Sequence, residues 1–169
     1  MNENFMLLAD EAAKQLPAGA FLMTGTKPNV MTIGWAQFGI VWGKPVCAVF
    51  VRKSRYSHDL IEQADTFTVS VPKLGEMKEA LGFCGSKSGR DVDKLKALGL
   101  HAMPAKMGGT AALKECEIHF ECKKLWKADG DLGNIYDKAV LDRYYKGFTT
   151  DEGDPHTVYF GEITAAYKA

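Results

Sequence analysis

The sequence lacks three features that would each define a class of protein. No apolar run reaches the ~18 residues that a membrane span needs. Acidic and basic residues balance at 21 each, so there is no basic excess to attract nucleic acid. Residues 1–4 lack the basic start of a secretory signal. We therefore expect a cytoplasmic protein whose partner is neither a membrane nor a nucleic acid.

Cysteine is scarce, and the spacing of the four cysteines matches no zinc motif. Cys47 lies in an apolar run, and Cys116 and Cys122 alternate with polar residues, so we expect these three thiols to face the core. Cys84 stands beside a charged stretch, where nearby cations would lower the pKa of a thiol. The sequence leaves both a catalytic and a structural role open for Cys84, and we expect no metal site.

What the chain does contain suits one globular, turn-rich domain over residues 1–169. It is 169 residues long, 46% of them are hydrophobic, and 17 are glycine. A chain of this length can bury a full core. We find no linker, low-complexity tract or internal repeat that would divide it.

The apolar patterns predict many strands and few helices. Cys116–Cys122 alternates apolar and polar residues, which predicts a half-exposed strand with His119 facing solvent. A set of strands without a repeating βαβ pattern favours a mainly β (α+β) fold, namely a closed or nearly closed antiparallel barrel with peripheral helices. We predict strands over residues 20–24, 30–35, 46–51, 66–71, 116–122 and 157–164, helices over 6–16, 75–81 and 93–98, and either a helix or a strand over 139–148.

The stretch Phe83–Asp91 is the first candidate binding site, and it reads Phe-Cys-Gly-Ser-Lys-Ser-Gly-Arg-Asp. Its two glycines let the backbone turn sharply, and two serines, Lys87 and Arg90 offer donors to an anion. A bend of this kind can hold a phosphate. It is neither a Walker A loop nor a dinucleotide fingerprint. A solvated turn before a helix is the alternative interpretation.

A second cation-bearing bend, Arg52–His58, follows directly on the apolar run of residues 46–51. It holds three cations, two serines and a tyrosine. We predict that Ser57 caps a helix through Ile61. The alternative to an anion site is a charged loop with a helix cap. Two such bends in one small domain together favour a phosphate site.

Four segments in this order resemble the flavin reductase-like family, and its flavoredoxin branch in particular. The resemblance covers about residues 17–167 and implies an FMN-binding split β-barrel, a homodimer with FMN at the subunit interface. The segments are residues 29–35, 50–58, 84–91 and 156–162.

The resemblance also implies roles for particular residues toward FMN. His156 resembles a histidine near the ring or the incoming nicotinamide, so it is the candidate catalytic residue, although a structural role at the start of a strand stays open. Residues 29–35 would line the isoalloxazine ring, largely through backbone groups and with Thr32 as a side-chain contact. The residues implied for the ring are Asn29, Met31, Thr32, Ile33, Gly34 and Trp35. Those implied for the ribityl chain and the phosphate are Arg52, Ser54, Tyr56 and Ser57. Those implied to complete the phosphate site are Ser86, Lys87, Ser88, Arg90 and Lys94.

The predicted function is that of an FMN-binding redox protein, which passes electrons from NAD(P)H or a protein donor through FMN to an acceptor. The flavin carries the redox chemistry, so the chain needs no nucleophile or acid–base pair of its own. The alternative is a flavoredoxin-type electron carrier that keeps FMN bound and takes electrons from ferredoxin or a similar protein. A non-redox domain of the same fold is the third possibility.

Overall fold

One seven-stranded antiparallel sheet dominates the computed structural model, which describes residues 5–147 and 153–169. Two short 3-10 helices, Leu16–Ala18 and Leu132–Asn134, lie outside the numbered elements. Those elements are α1 (Phe5–Gln15), β1 (Ala20–Thr24), β2 (Asn29–Ile33), β3 (Ala36–Val41), β4 (Lys44–Arg52), α2 (Tyr56–Gln63), β5 (Thr66–Val71), α3 (Lys78–Ser86), α4 (Lys94–Leu98), β6 (Ala102–Met103), β7 (Ala112–Leu113), β8 (Ile118–Asp129), α5 (Lys138–Tyr144) and β9 (His156–Lys168).

The order of the strands shows that the sheet rolls up into a nearly closed barrel. The order is β2-β1-β5-β8-β9-β4-β3, so β2 and β3 form its two edges. Yet β2 ends at Ile33 and β3 begins at Ala36, and three peptide steps span at most about 11 Å. The two edges must therefore approach each other. The backbone N–H of Phe50 on β4 also donates to the carbonyl of Trp35 at 3.3 Å. The predicted barrel with peripheral helices is confirmed.

Two hydrophobic clusters lie on opposite sides of β1. Leu22 points into the barrel, where it joins Phe67, Phe120 and Tyr159. Its neighbour Phe21 points outward and packs with residues of α3. Because successive side chains of a strand point to opposite faces, β1 is buried along its whole length. The outer cluster holds α3 and α4 against β1 and β2, which places the first candidate bend beside the barrel.

Local sequence explains where the elements around the first bend begin and end. The first bend is helical up to Ser86, because it forms the last turns of α3. The carboxylate of Asp93 accepts from the backbone N–H of Lys96 at 3.1 Å and so caps α4. Gly99 ends α4 with φ of 63°, a left-handed conformation that glycine adopts at little cost.

Two local predictions are wrong, and one strand was missed. Ser57 does not cap α2, because the helix begins at Tyr56 and Arg55 occupies the cap position. The strand β3 was not predicted. His119 is buried rather than solvent-facing, because its Nδ1 lies 3.0 Å from the hydroxyl of Ser70 on the neighbouring strand.

Other predictions hold with adjusted bounds. Of the ambiguous segment 139–148, residues 139–144 belong to the helix α5, residues 145–147 form a turn, and Phe148 lies outside the described residues. All four cysteines are free and buried, as expected for three of them. Within the described residues, no helix is both long enough and apolar enough to cross a membrane.

Candidate functional site

The two cation-bearing bends lie side by side in the folded chain. The guanidinium of Arg55, in the second bend, donates to the carbonyl of Gly85 in the first bend at 2.6 Å. In the opposite direction, Arg90 donates to the carbonyl of Ser54 at 3.3 Å. Arg90 also forms an ion pair with Asp59 of α2. The bends therefore form the walls of one cleft.

This cleft consists of two adjoining cavities, which share Met31 and Arg55 in their linings. We call the larger one, of about 350 Å³, the bend cavity, because residues of both bends line it. We call the smaller one, of about 220 Å³, the ring cavity, because residues predicted to contact the isoalloxazine ring line it. Of the residues predicted to bind FMN, the bend cavity is lined by Asn29, Met31, Ser54, Tyr56, Ser57, Ser86, Lys87, Ser88, Arg90 and Lys94. The ring cavity is lined by Met31, Thr32, Gly34, Trp35 and Arg52, together with His156.

Ile33 is the predicted site residue that the structure places elsewhere. Its side chain is 3% exposed and belongs to the hydrophobic cluster inside the barrel. It lies two residues beyond Met31 on the same face of β2, and this further step takes it away from the cleft and into the core. The side chain of Ile33 therefore stabilises the barrel, and the contact predicted for this residue remains one that its backbone would make.

Arg55 connects the two cavities, although the residue set above did not include it. Its Nε donates to the thioether sulfur of Met31 at 3.3 Å, and its Nη2 donates to the backbone carbonyl of Gly85. Burial lowers the pKa of its guanidinium, and Asp154 opposes that shift. The sequence signal was present, since Arg55 is one of three cations in the second bend. What the sequence could not show is that this cation reaches the first bend.

Lys94 is a buried cation at the inner end of the bend cavity. Its side chain lies on α4, the residue is 4% exposed, and its ammonium donates to the carbonyls of Val30 at 2.8 Å and Cys84 at 3.0 Å. Within residues 5–147 and 153–169, no carboxylate forms an ion pair with it. Burial lowers its pKa from 10.5 to about 8. An ammonium with three donors and two neutral acceptors can still donate to an anion in the cavity.

Gly89 brings the backbone of the first bend into close contact with the second. A Cβ atom at this position would overlap the amide oxygen of Asn29 and would lie 2.9 Å from the ring of Tyr56. The amide of Asn29 in turn donates to the hydroxyl of Ser57 at 2.9 Å, which is the role that Ser57 has instead of capping. A side chain at position 89 would therefore displace the side chains of Asn29 and Tyr56 where the bends pack together.

The serine hydroxyls differ in what they can offer a ligand. Ser54 donates to the carboxylate of Asp154 at 2.6 Å, and Ser86 donates to the carbonyl of Gly82 at 2.9 Å. Ser88 instead accepts from the backbone N–H of Arg90 at 3.1 Å, so its own proton can be donated elsewhere. Among these serines, Ser88 is the best donor to an anion in the cleft.

Aromatic side chains form one side of the ring cavity. The ring of Trp35 lies 4.6 Å from that of His156 and 5.1 Å from that of Tyr144, measured between centroids. Arg52 donates to the backbone carbonyls of Tyr144 and Asp154, at 2.7 and 2.8 Å, and so holds α5 against the end of β9. The Trp35 ring is tilted by 38° to the His156 ring and by 86° to the Tyr144 ring, and it offers a partly exposed aromatic face against which a planar ring can pack.

His156 and Thr32 are both held by neighbours at the ring cavity. Nδ1 of His156 lies 2.8 Å from the hydroxyl of Tyr145, and burial, followed by the charge of Arg52, lowers the pKa of His156 to about 4. His156 is therefore neutral at physiological pH. Thr32 donates its hydroxyl proton to the carbonyl of Leu81 at 2.6 Å.

Neither Cys84 nor Gly34 lies in an environment that indicates a special role. Cys84 is fully buried, and burial raises the pKa of its thiol, so its surroundings fit a structural role. Gly34 lies just after β2, and a Cβ there would make only an ordinary contact, 3.6 Å from the carbonyl oxygen of Leu16.

The sequence profile of the flavin reductase like domain family matches residues 13–168, and the chain belongs to this family. A curated relative, an uncharacterized protein of Archaeoglobus fulgidus, is 32% identical over 97 residues. That match covers 57% of this chain and 54% of the relative, so the chain matches about half the length of that protein.

Solved structures show that the fold is shared more widely than the sequence. A flavoredoxin from Methanosarcina acetivorans superposes with a TM-score of 0.68 at 23% identity, over 89% of this chain and 68% of the other. An FMN-binding protein from Thermus thermophilus gives 0.63 at 20% identity, over 88% and 68% of the two chains. The NADH:FAD oxidoreductase SgcE6 of Streptomyces globisporus gives 0.65 at 18% identity, over 89% and 75%. These structures share the fold, and the profile match over residues 13–168 confirms the predicted family.

Proposed function

We propose that the cleft binds FMN, with its phosphate in the bend cavity and its isoalloxazine ring in the ring cavity. The observation that carries this proposal is the buried ammonium of Lys94, which meets two neutral carbonyls. A buried cation is costly unless an opposite charge accompanies it. A phosphate in the bend cavity would supply that charge.

The donors around the bend cavity fit a phosphate. Arg90 carries a guanidinium fork that can hold two phosphate oxygens, and the hydroxyl of Ser88 can donate to a third. In the structure Asp59 pairs with Arg90, and both side chains are nearly half exposed, so that pair is easily exchanged for a phosphate contact. Lys87 adds a cation at the exposed rim.

The ring cavity fits the other end of FMN. Trp35 and His156 offer aromatic faces that are tilted by 38° to each other, and Met31 lines both this cavity and the bend cavity. FMN, when bound, supplies the redox chemistry, and the chain binds it, orients it and limits water around it. Because His156 is neutral at physiological pH, we assign it the positioning of the ring surface and not a cationic charge.

We infer that the protein acts as a flavin reductase-like oxidoreductase, with NAD(P)H or a protein as the electron donor. The family includes NADH:flavin oxidoreductases, as the Streptomyces neighbour illustrates. The test is the visible absorption spectrum of the purified protein with FMN, recorded before and after addition of NADH or NADPH. Bleaching of the flavin absorbance, with steady oxidation of the nucleotide, is the expected result. No bleaching with either nucleotide would contradict the reductase activity.

A flavoredoxin-type electron carrier is the second candidate. The flavoredoxin fold supports it, as does the exposure of Trp35 and Tyr144, 37% and 36%, which leaves the ring cavity open to a protein partner. Under this alternative, reduced ferredoxin bleaches the flavin and NAD(P)H does not. The same spectrum with each donor therefore separates the two functions.

We also propose that the protein forms a homodimer with FMN at the subunit interface, and that an exposed aromatic face of the sheet belongs to that interface. Trp42 and Trp126 are 64% and 51% exposed, and their rings lie 6.2 Å apart. Phe160 lies 5.0 Å from Trp126, and Ile40, which is 53% exposed, lies two residues before Trp42. Contiguous apolar patches of this kind mark association surfaces, and Trp is a frequent anchor in them.

Light scattering on size-exclusion fractions tests the dimer. Replacing Trp42 and Trp126 together by Ser is expected to convert a dimer into a folded monomer. The matched control is Tyr136→Ser, which removes an isolated aromatic residue that is 96% exposed. A wild-type protein that elutes as a monomer would contradict the proposal.

We propose the cytoplasm as the compartment of the protein, because four free thiols are typical of a reducing environment.

A further inference from the structure

The imidazole of His156 uses one nitrogen for a contact with a neighbour and leaves the other for a ligand. Its Nδ1 lies 2.8 Å from the hydroxyl of Tyr145. Within residues 5–147 and 153–169, its Nε2 has no hydrogen-bond partner. His156 lines the ring cavity, and its ring lies 4.6 Å from that of Trp35. Because the two nitrogens lie on different sides of the imidazole, Nε2 is the nitrogen available to a ligand in this cavity.

The backbone on both sides of this contact is fixed. The carbonyl of His156 accepts from the N–H of Gly130 at 3.0 Å, and His156 pairs with Arg52 across β9 and β4. At the end of α5, the N–H of Tyr145 donates to the carbonyl of Leu141 at 3.0 Å. The fold therefore determines how the phenol and the imidazole meet.

The proton of the Tyr145 hydroxyl decides which tautomer of His156 is present. A neutral imidazole carries one proton, so Nδ1 either accepts from the phenol or donates to it. If Nδ1 donated, the phenol would need a further acceptor for its own proton, and the described part of the chain offers none. Burial raises the pKa of Tyr145, and the charge of Arg52, which lies 4.9 Å from the centroid of the phenol ring, only opposes that rise, so the hydroxyl keeps its proton as a donor. Donation from Tyr145 to Nδ1 leaves the proton of the imidazole on Nε2.

We propose that Tyr145 is a positioning residue, which holds neutral His156 in the tautomer whose Nε2–H is a fixed hydrogen-bond donor at the ring cavity. This proposal rests on the proposed flavin site and adds a residue that the predicted site did not include. A fixed donor beside the polar edge of the isoalloxazine ring stabilises the negative charge that the ring carries when it is reduced. The hydroxyl of Tyr145 therefore strengthens the binding of reduced FMN relative to oxidised FMN.

Nitrogen NMR of the flavin-free full chain at pH 7 tests the tautomer directly, with the signals of His156 assigned by their loss in His156→Gln. The wild type is expected to show the Nε2–H tautomer. Tyr145→Phe removes only the hydroxyl and is expected to give a mixture of the two tautomers. Tyr136→Phe is the matched control, because Tyr136 is 96% exposed and lines neither the bend cavity nor the ring cavity. It is expected to leave the tautomer unchanged.

The dissociation constants of oxidised and reduced FMN test the effect on the ligand. Tyr145→Phe is expected to lower the preference for reduced FMN about tenfold, which corresponds to a fall of about 30 mV in the two-electron potential of the bound flavin. Tyr136→Phe is expected to leave this preference unchanged. In His156→Gln, a side-chain amide supplies a donor that has no tautomers, so adding Tyr145→Phe to this variant is expected to change the preference no further.

The outcomes separate this proposal from the proposed function. An Nδ1–H tautomer in the wild type, or an unaltered tautomer in Tyr145→Phe, would overturn the proposal while the flavin site stands. An unchanged preference for reduced FMN in Tyr145→Phe would also overturn it. An effect of Tyr145→Phe that persists in His156→Gln would show that Tyr145 acts on the structure and not through His156. If FMN does not bind in either form, the proposed function fails and the donor to the flavin fails with it, whichever tautomer the flavin-free protein shows.

Discussion

Replacing Lys94 by Met tests how the cleft recognises a phosphate. The substitution keeps about the same side-chain length and packing. It removes the buried ammonium group, which donates to the carbonyls of Val30 and Cys84. A hydrogen bond to a charged group contributes about 1.5–3 kcal/mol, and each 1.4 kcal/mol changes a dissociation constant about tenfold. We therefore expect FMN to bind roughly 10- to 150-fold more weakly.

Riboflavin provides the internal control for this variant, because it carries the same ring without the phosphate. Its affinity is expected to change less than about threefold in Lys94→Met. Lys87→Met is the matched variant, since Lys87 lines the same cavity at its exposed rim and an exposed charge contributes at most about 1 kcal/mol. Fluorescence titrations at pH 7 measure all of these affinities. Equal losses for FMN and riboflavin, or no loss for either, would refute the assignment of Lys94.

Three further predictions follow from the same site and core. A bound phosphate would favour the charged form of Lys94 and raise its pKa from about 8, so the affinity for FMN is expected to fall as the pH rises above 8. The affinity for riboflavin is expected to stay constant, and an FMN affinity that does not change with pH would contradict this. Gly89→Ala is expected to weaken FMN binding at least about tenfold, because its Cβ would overlap the Asn29 side chain. The control is Gly82→Ala, whose Cβ would meet nothing within 4 Å and which lines neither the bend cavity nor the ring cavity, so it is expected to leave binding intact; titration of both variants decides. Burial lowers the pKa of His119 from 6.5 to about 4, so the stability that its neutral form gives above pH 6.5 is lost as the pH falls toward 4, by at most about 3 kcal/mol. Urea unfolding is therefore expected to show a smaller loss of stability in acid for His119→Asn than for the wild type. Parallel pH dependences of the two proteins would count against this role of His119.

The barrel could be predicted from local patterns because its strands are marked by apolar runs and turn residues. The segment that became β3 has a glycine at position 39 and side chains that are largely half buried or exposed, so it carries no clear alternation. It forms a strand because residues 36–41 pair with β4 through a regular antiparallel register. That pairing is a tertiary effect, which a local pattern cannot reveal.

The burial of β8 shows the same limit. Alternating polar residues predicted an exposed face, yet Glu121 accepts from the backbone N–H groups of Lys106 and Met107 at 2.6 and 2.8 Å. The segment between β6 and β7 therefore covers that face. Polar side chains can be buried when distant parts of the chain supply their hydrogen bonds, and such partners lie far away in sequence.

At the site, the sequence indicated the bends and the structure shows how they fit together. Cations, serines and glycines in two short stretches favoured an anion site, and these stretches do converge. The sequence could not predict that the side chain of Ile33 points into the core or that Arg55 of the second bend donates to Gly85 of the first. Nor could it predict that the hydroxyls of Ser54 and Ser86 donate to Asp154 and Gly82. Each depends on the direction of a side chain, which composition does not fix.

A comparison of FMN and riboflavin binding by the unaltered protein is the most direct test of the central claim, that the two bends hold a phosphate group. Isothermal titration at pH 7 gives both dissociation constants in one buffer free of phosphate. With Arg90, Lys94 and Ser88 as donors, FMN is expected to bind at least about a hundredfold more tightly than riboflavin. Equal affinities for the two flavins would contradict the account.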